Sequence, residues 1–423
     1  MADYPDAQGP HHHAIAVLRH RDYRLLWIGQ LISTTGDMMQ TVALAWHMFV
    51  LTDSTFQVGL LALSGFVPFL GLSFVGGAIA DRFDRRRVIL VTQSANLLAT
   101  LALVTATFGG FVSPGILYGI AFAIGGNRAF DAPARQALIP NLVPRAELGA
   151  ALTLNTMLRQ LATTVGPGLG GILMGVAGVG AAYALNAASF AAVIVALLLM
   201  NPVVQLRGTS TSRAEMVLGG LRFVRGETIV LSLLVLDFLV VVLGSTQALM
   251  PAFARDILAV GPEGLGFLYA APAIGAIVGA LILGAIGTGW RNLSIVLVTY
   301  ACFGVFILGF GLGTVFGISL LLLFGSGFVD VIGEIMRGTI IQLRTPDEVR
   351  GRVTSLSVIF SAGGPQVGQF SSGVIATMAG PAGAAVIGGA AVVFVTGLFA
   401  LNPMMRRRAD PDRHSLDATS SIP

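Results

Sequence analysis

Long apolar runs separated by short charged turns constrain this 423-residue chain more than any other feature of its sequence. The runs 58–80 and 88–108 contain no charged residue, and each is long enough to cross a hydrocarbon core of about 30 Å as a helix. Between them, residues 81–87 contain four arginines and two aspartates. That charge density is too costly for lipid, so the turn must lie at a membrane surface. The pattern predicts a membrane protein with several spanning helices.

Composition agrees with this class. The chain is 55% hydrophobic and 11% charged, with a mean hydropathy of +0.82, whereas soluble domains are about 25% charged. The net charge of +4 comes from arginines in short loops, as orientation signals do, so we expect no nucleic-acid partner. A single cysteine, Cys302, excludes an intrachain disulfide and a thiolate metal cluster, and we expect no metal site.

Runs of about 20 apolar residues between polar breaks predict twelve helices. They begin near Leu25, Val58, Val88, Pro114, Leu148, Ala181, Thr228, Leu265, Leu293, Val315, Val353 and Ala382. The predicted fold class is therefore all-α and polytopic, with twelve transmembrane helices in two six-helix halves.

Arginine placement predicts the orientation of these helices. With a cytoplasmic N-terminus, the loop arginines fall on the cytoplasmic side except Arg255, so both termini are expected in the cytoplasm and the protein in the inner membrane. The expected organisation is a cytoplasmic N-terminal tail, a first half, a cytoplasmic linker containing an amphipathic helix, a second half and a cytoplasmic tail. These segments are residues 1–24, 25–200, 201–227, 228–403 and 404–423.

A faint internal repeat relates the two halves. Gly59 and Gly77 in the second predicted helix match Gly266 and Gly284 in the eighth at an offset of 207 residues. Matches before the fifth and eleventh helices have an offset of 202 residues, which also places Arg128 over Asp330 and Arg135 over Arg337. Parallel repeats of this kind place the working site near the membrane midplane, between the halves.

The charged turn resembles the loop 2–3 signature of the major facilitator superfamily, G-x-x-x-D-R-x-G-R-[RK]-x. The matching residues are Gly77, Asp81, Arg82, Arg85 and Arg86. Asp84 departs from the signature, because glycine is usual there, which puts the turn geometry in question. The resemblance implies a gating contact, and we expect Asp81 to bind near the start of the eleventh helix. The alternative is that these charges only fix topology.

A second motif, in the fifth predicted helix, is similar to the signature of proton-coupled exporters in the same superfamily. It comprises Gly166, Pro167, Gly170 and Gly171. Further stretches at 131–140, 250–256 and 345–352 resemble the branch that contains enterobactin exporters and related drug exporters. The resemblance implies efflux of a siderophore or drug-like molecule, whereas ordinary packing by small residues is the alternative for the motif itself.

Ionisable residues inside spans are costly and point to function. Asp37 lies about twelve residues into the first predicted helix, near the midplane, and Asp237 lies in an otherwise apolar run of the seventh. Burial disfavours the charged form of a carboxyl, which suits reversible protonation. Both are therefore candidates for proton coupling or cation binding, and a hydrogen bond to a neighbouring helix is the alternative for each.

Two further clusters share helix faces. Arg128, Asp131 and Arg135 are spaced i, i+3, i+7, and Asp330, Glu334 and Arg337 are spaced i, i+4, i+7. Across the pseudo-two-fold they predict salt bridges that exchange between halves during transport, with Arg128 the better candidate for an anionic substrate. Ion pairing within each half is the competing interpretation. Arg159 is one more charge in a span, and the sequence names no partner for it.

Nothing in the sequence indicates bond chemistry, since it contains no phosphate-binding G-x-x-x-x-G-K-[ST], HExxH or CxxC. We therefore expect a monomeric secondary exporter and not an enzyme. It would need no cofactor, because proton antiport would supply the energy. Its partners would be a small amphipathic molecule, protons and membrane lipid. An importer or uniporter on the same fold, or a membrane receptor, are the alternatives.

Overall fold

A computed structural model describes residues 14–201, 222–286 and 293–401, and within these ranges the chain is helical, without strands. Ten helices, α1 to α10, span Arg21–Thr52, Thr55–Arg82, Arg85–Phe108, Pro114–Leu138, Leu148–Ala177, Val179–Leu199, Thr228–Leu243, Gly261–Ile286, Leu293–Leu312 and Phe316–Arg344. The 55-residue helix Asp347–Leu401 is divided by the non-helical Gly380 into α11 (347–379) and α12 (381–401). The helices begin within six residues of their predicted starts.

Seven stretches of the described chain are long and apolar enough to cross a membrane. The helices α1, α4 and α5 are not among them, although each has 25 residues or more. These three helices contain Asp37, the Arg128 cluster and Arg159 as well as many glycine, threonine, glutamine and asparagine residues, which together lower their mean hydropathy. Most of the predicted linker, residues 202–221, and both distal tails lie outside the described residues.

The charged turn between α2 and α3 ties the ends of three helices together. Asp84 is the N-cap of α3 and accepts a hydrogen bond of 3.1 Å from the backbone N–H of Arg87. Its φ of −60° needs no glycine, so the departure from the family signature is compatible with the turn. Arg85 donates to the carbonyl of Ala137 at the end of α4, and Arg86 donates to that of Leu197 at the end of α6. Cations are favourable at helix C-termini, so the two arginines hold this end of the first half together.

The remaining signature residues complete this end of the bundle, which we call the arginine-rich end. Gly77 is buried in α2, and Arg82 is exposed at the last position of that helix. The side chain of Asp81 lies outside the described part of the structure, so the proposed contact between Asp81 and α11 remains a prediction.

Within each half, helices pack through matching glycines. A β-carbon at Gly125 of α4 would overlap the carbonyl oxygen of Gly65 in α2. In the second half, a β-carbon at Gly327 of α10 would overlap that of Pro272 in α8. These pairs are related by the offsets of 207 and 202 residues that the sequence suggests. The repeat is therefore present in the backbone packing as well as in the sequence.

The two halves meet along two seams, α2 with α11 and α5 with α8. On the first, a β-carbon at Gly59 would lie 2.6 Å from the carbonyl oxygen of Gln369, and one at Gly373 would lie 2.7 Å from that of Thr55.

The α5–α8 seam has the same construction. A β-carbon at Gly266 would lie 2.7 Å from the carbonyl oxygen of Pro167, and one at Gly171 would lie 2.6 Å from that of Pro262. The 207-residue offset relates Gly59 and Thr55 to Gly266 and Pro262. The 202-residue offset relates Pro167 and Gly171 to Gln369 and Gly373, so the two seams are equivalent by the repeat. They lie toward the end opposite the arginine-rich end, which we call the Arg255 end because Arg255 lies there.

A short segment before α1 is fastened to the start of α5. The 3-10 helix Ala14–Arg19 brings Arg19 into an ion pair with Glu147, whose other carboxylate oxygen lies 3.0 Å from Nε2 of His20. The Glu147 side chain is only 6% exposed. The hydrogen bond with His20, assisted by the charge of Arg19 and opposed by partial desolvation, lowers the pKa of Glu147.

We expect Gly171→Ala to destabilise the α5–α8 seam, because its methyl group must displace backbone atoms of α8. Overpacking costs about 1–3 kcal/mol. The melting temperature of the purified protein in one detergent should fall by a few degrees. Gly168→Ala is the matched control, since a β-carbon there meets nothing within 4 Å and alanine favours a helix. Equal melting temperatures for the two variants would show that the seam is not tightly packed.

We expect Glu147→Gln to lower the melting temperature at pH 7 and to have less effect in acid. Because the folded state lowers the pKa of Glu147, its contribution is complete above the ordinary carboxyl pKa and is lost as pH falls through the folded-state value. Melting curves of variant and wild type from pH 7 down to about pH 3, below the ordinary carboxyl pKa, measure this. Asp22→Asn is the control, because Asp22 makes only contacts of 3.4 to 3.6 Å. A difference that is independent of pH would exclude the assigned role of the carboxylate.

Candidate functional site

Asp37 lies near the middle of α1 beside a buried polar network. Its carboxyl interacts with the side chain of Asn186 in α6, and the side chain of Asp37 is only half-buried. Asn186 also donates to Oε1 of Gln40 at 2.7 Å, and Thr100 in α3 donates to the same oxygen at 3.3 Å. Sequence reasoning missed these three partners, although polar residues inside apolar runs were a signal for them. Asp37 is thus the accessible member of a network whose other members are satisfied internally.

Asp131 is held by α3 and by its own helix. Thr92 and Gln93 donate to Oδ1 of Asp131 at 2.9 and 3.0 Å, and Arg135 forms an ion pair with the other carboxylate oxygen. Asp131, Arg135 and Arg128 all lie within electrostatic range of Asp37. The predicted α4 cluster therefore acts electrostatically on the α1 carboxyl, and its ion pair is internal to the first half.

Arg128 differs from Arg135 in its environment. It is exposed, and its guanidinium lies 5.6 Å from the centre of the Phe69 ring in α2, within the range of a cation–π contact. The described residues form no ion pair with Arg128. An exposed arginine ten residues from the end of a 25-residue helix needs water around it, because lipid would not tolerate the charge.

In the second half, Asp237 is paired and buried. Arg337 of α10 forms an ion pair with one carboxylate oxygen, and the hydroxyl of Tyr300 in α9 donates to the other at 2.8 Å. Both ionic side chains are at most 10% exposed. The contacts of Asp131, Arg135, Asp237 and Arg337 thus follow the competing interpretation, ion pairing within each half. Whether such pairs exchange between halves in another conformation remains a prediction.

Asp330 and Glu334 lie one turn apart on α10. Asp330 is half-buried and Glu334 is exposed, and the two carboxyl groups are within electrostatic range of each other. Described residues form no ion pair with either. Asp330 corresponds to Arg128 by the 202-residue offset, so equivalent positions of the two halves have opposite charge.

Arg159, for which the sequence named no partner, lies on an exposed polar strip of α5. The strip follows helical spacing and comprises Thr153, Thr156, Arg159, Gln160 and Thr163. Within the described residues Arg159 forms no ion pair. Apolar residues such as Leu161, Val165 and Leu169 cover another exposed strip of the same helix, which suits lipid. The polar strip therefore fits a water-filled cleft, since polar groups at membrane depth line cavities.

The α5 glycine motif connects Asp37 to a seam. β-Carbons at Gly166 and Gly170 would lie 2.5 Å from Cβ of Met38 and 3.0 Å from Cα of Met39, immediately after Asp37. The neighbouring Gly171 packs on α8 of the other half, and Pro167 lies inside the continuous α5 helix. The motif is therefore the physical link between the Asp37 segment and the second half. Within the described residues, there is no group of three or more potential metal ligands.

Comparison with known proteins agrees with this architecture. The family model described as "Transmembrane secretion effector" matches residues 12–421. The enterobactin exporter EntS of Escherichia coli O1:K1 / APEC is 27% identical over 391 residues, which cover 92% of this chain and 93% of that exporter. EntS of Citrobacter koseri is 27% identical over 377 residues, with coverages of 89% and 90%.

Solved transporter structures share the fold at low identity. The nucleoside transporter NupG has a TM-score of 0.72 with 13% identity and covers 90% of this chain and 98% of its own. A bacterial homologue of the iron transporter ferroportin in its inward-facing state has a TM-score of 0.67 with 16% identity and the same coverages. These comparisons and the packing of the two halves show that the chain is a multi-pass membrane transporter of a small molecule, belonging to the transmembrane secretion effector family of the major facilitator superfamily.

Proposed function

We propose that the protein exports a small amphipathic anion, of the siderophore or drug-like class, across the inner membrane in exchange for protons. The half-buried Asp37, near the middle of α1 and within electrostatic range of the α4 charges, is the observation that carries the proposal. The whole-length similarity to proteins named enterobactin exporters supports the direction and the substrate class. The protein would work as a monomer without a cofactor. One charge moved through 100 mV would supply about 2.3 kcal/mol.

In the proposed orientation, the arginine-rich end is cytoplasmic. The seams bring backbones together toward the Arg255 end. The exposed charges Arg128, Arg159 and Glu334 lie ten or eleven residues from the arginine-rich ends of their helices. A cleft that opens to the cytoplasm and is closed at the Arg255 end gives these charges access to water. The structure then represents an inward-open state, ready to receive substrate from the cytoplasm.

Proton coupling would act through the α1 segment. Deprotonated Asp37 attracts the neighbouring arginines and accepts from Asn186, and protonation removes the negative charge that they face. Because Met38 and Met39 pack on Gly166 and Gly170, a small movement of this segment reaches the α5–α8 seam directly. Protonation and the relative position of the halves are thereby coupled through close-packed backbone.

Charge on the cleft walls would select an anion. Arg128 and Arg159 belong to the first half, while Asp330 and Glu334 belong to the second. A carboxylate or catecholate substrate would bind the arginines through charge-assisted hydrogen bonds, and Phe69 beside Arg128 offers an apolar face to its ring. This arrangement favours amphipathic anions over cations at the first-half wall.

We expect Asp37→Asn to abolish gradient-driven transport while preserving exchange. Proteoliposomes with an imposed pH gradient should accumulate a catecholate siderophore or an anionic dye at least tenfold less with the variant. Substrate counterflow without a gradient should persist, because the amide keeps a polar group beside Asn186.

The matched control for this experiment is Asp22→Asn, which removes a carboxylate at the beginning of α1. It should leave the dependence on the pH gradient unchanged. If wild-type transport does not depend on the gradient, and the Asp37→Asn variant transports as well as wild type, proton coupling through Asp37 is wrong.

We expect Arg159→Gln to raise the KM for an anionic substrate by about tenfold, the loss of one charge-assisted contact of roughly 1.4 kcal/mol. The KM for a neutral analogue should change little, and Arg159→Lys should recover part of the affinity. Arg145→Gln removes an exposed charge from the α4–α5 connection and serves as the control. Equal KM changes for anionic and neutral substrates would contradict anion recognition by Arg159.

A further inference from the structure

Arg255 is the loop arginine that breaks the orientation pattern, and its backbone is firmly anchored in the second half. It lies in the π-helical turn Phe253–Ile257 between α7 and α8. The preceding residues are buried, and the ring of Phe253 stacks on that of Phe310 at 4.3 Å. π-Turns of this kind are frequent at functional positions. The fold therefore presents the Arg255 side chain at a fixed point of the Arg255 end.

The guanidinium of Arg255 is bound from both halves. It forms an ion pair with Asp53, in the link between α1 and α2 of the first half, and lies 4.3 Å from the centre of the Phe49 ring in α1. On its own side, Nε donates to Asp256 at 2.6 Å. Asp256 thus orients the guanidinium, while Asp53 and Phe49 are its contacts across the interface between halves.

Asp53 has a backbone conformation that glycine would adopt more easily than aspartate. Its φ is 52°, in the left-handed region, and its N–H donates to the carbonyl of Phe49 at 2.8 Å. Glycine would adopt this conformation at lower cost, although aspartate and asparagine tolerate it. Before α8, the uncharged Ala259 has the same φ of 52°, and Val260, which the 207-residue offset matches to Asp53, is also uncharged. The ionic contact therefore has no symmetric copy at this position.

The contact lies directly beside the α2–α11 seam. Thr55, whose carbonyl oxygen meets Gly373, is two residues beyond Asp53. Any movement that separates the seams at this end must also separate Asp53 and Phe49 from Arg255. The hydrogen bonds that the Arg255 guanidinium donates to Asp256 and Asp53 raise the pKa of Arg255, so its charge is retained at every physiological pH. The contact accordingly responds to conformation and not to protonation of the arginine.

We propose that Asp53, Phe49 and Arg255 form an outer latch, a set of contacts between halves that holds the Arg255 end closed and breaks when the transporter opens outward. Arg255 is thus a positioning residue for transport. Its side chain is 34% exposed and that of Asp53 is 76% exposed, so the latch is weak enough to open in each cycle. The inference rests on the packing of the two halves and is independent of substrate and coupling ion.

The test measures the population of the closed outer end without any substrate. Spin labels at Val176 and Val315, exposed residues of the two halves at this end, report the distance between halves in a variant whose Cys302 is serine. We expect Asp53→Asn and Arg255→Gln each to shift the ratio of long to short distances by roughly threefold or more toward long. The double variant should shift it no further than Arg255→Gln alone, because Arg255→Gln already removes the contacts with both Asp53 and Phe49.

Matched variants distinguish the loss of the latch contacts from a general loss of folded protein. Asp53→Asn keeps a residue that tolerates the left-handed backbone, so folding should be preserved. Asp256→Asn removes a contact of Arg255 within one half and should shift the ratio less than Asp53→Asn. Arg255→Lys should restore part of the closed population. Unchanged distance distributions in both Asp53→Asn and Arg255→Gln, or additive shifts in the double variant, would overturn the latch.

Discussion

Close approach of helix backbones at the two seams is the constraint on which the rest of the structure depends. Four glycines, Gly59, Gly171, Gly266 and Gly373, each meet a backbone carbonyl of the other half at nearly the same distance. At these four points no side chain separates the two backbones, so the halves approach each other closely there. Small residues at such interfaces give tight van der Waals packing, the main attraction between helices in lipid.

Polar groups in the bundle divide into two classes according to whether they are satisfied inside one half. Arg135 and Arg337, equivalent by the repeat, are each neutralised by a carboxylate of their own half. These two ion pairs are therefore kept when one half moves away from the other. Arg128, Arg159 and Glu334 are exposed and form no ion pair with described residues. Since a bare charge in lipid is so costly, these residues indicate where water reaches the bundle.

Much of the fold could be predicted from the sequence, because each span is a local run whose length is set by the membrane. The repeat was also readable, since glycines such as Gly59 and Gly266 sit at matching backbone contacts. Partners within the site could not be read in the same way. Asp237 and Arg337 are 100 residues apart and meet only through packing of α7 against α10. The sequence also did not show that aspartate fits position 84, where glycine is usual. It fits because Asp84 caps the N-terminus of α3 with an ordinary backbone conformation.

Backbone packing follows the internal repeat of this transporter, whereas its charged residues do not. The seams are related by the repeat, so packing alone treats the two halves equally. The charged residues do not follow the repeat. Asp53 has the uncharged Val260 as its counterpart, and the charged turn 81–87 corresponds in the second half to residues 287–291, which contain one arginine and no acid. Charged residues are thus distributed asymmetrically at both ends of a symmetric scaffold. Because salt and water weaken exposed ion pairs while glycine packing is unaffected, these asymmetric contacts can set the balance between conformations without altering the fold.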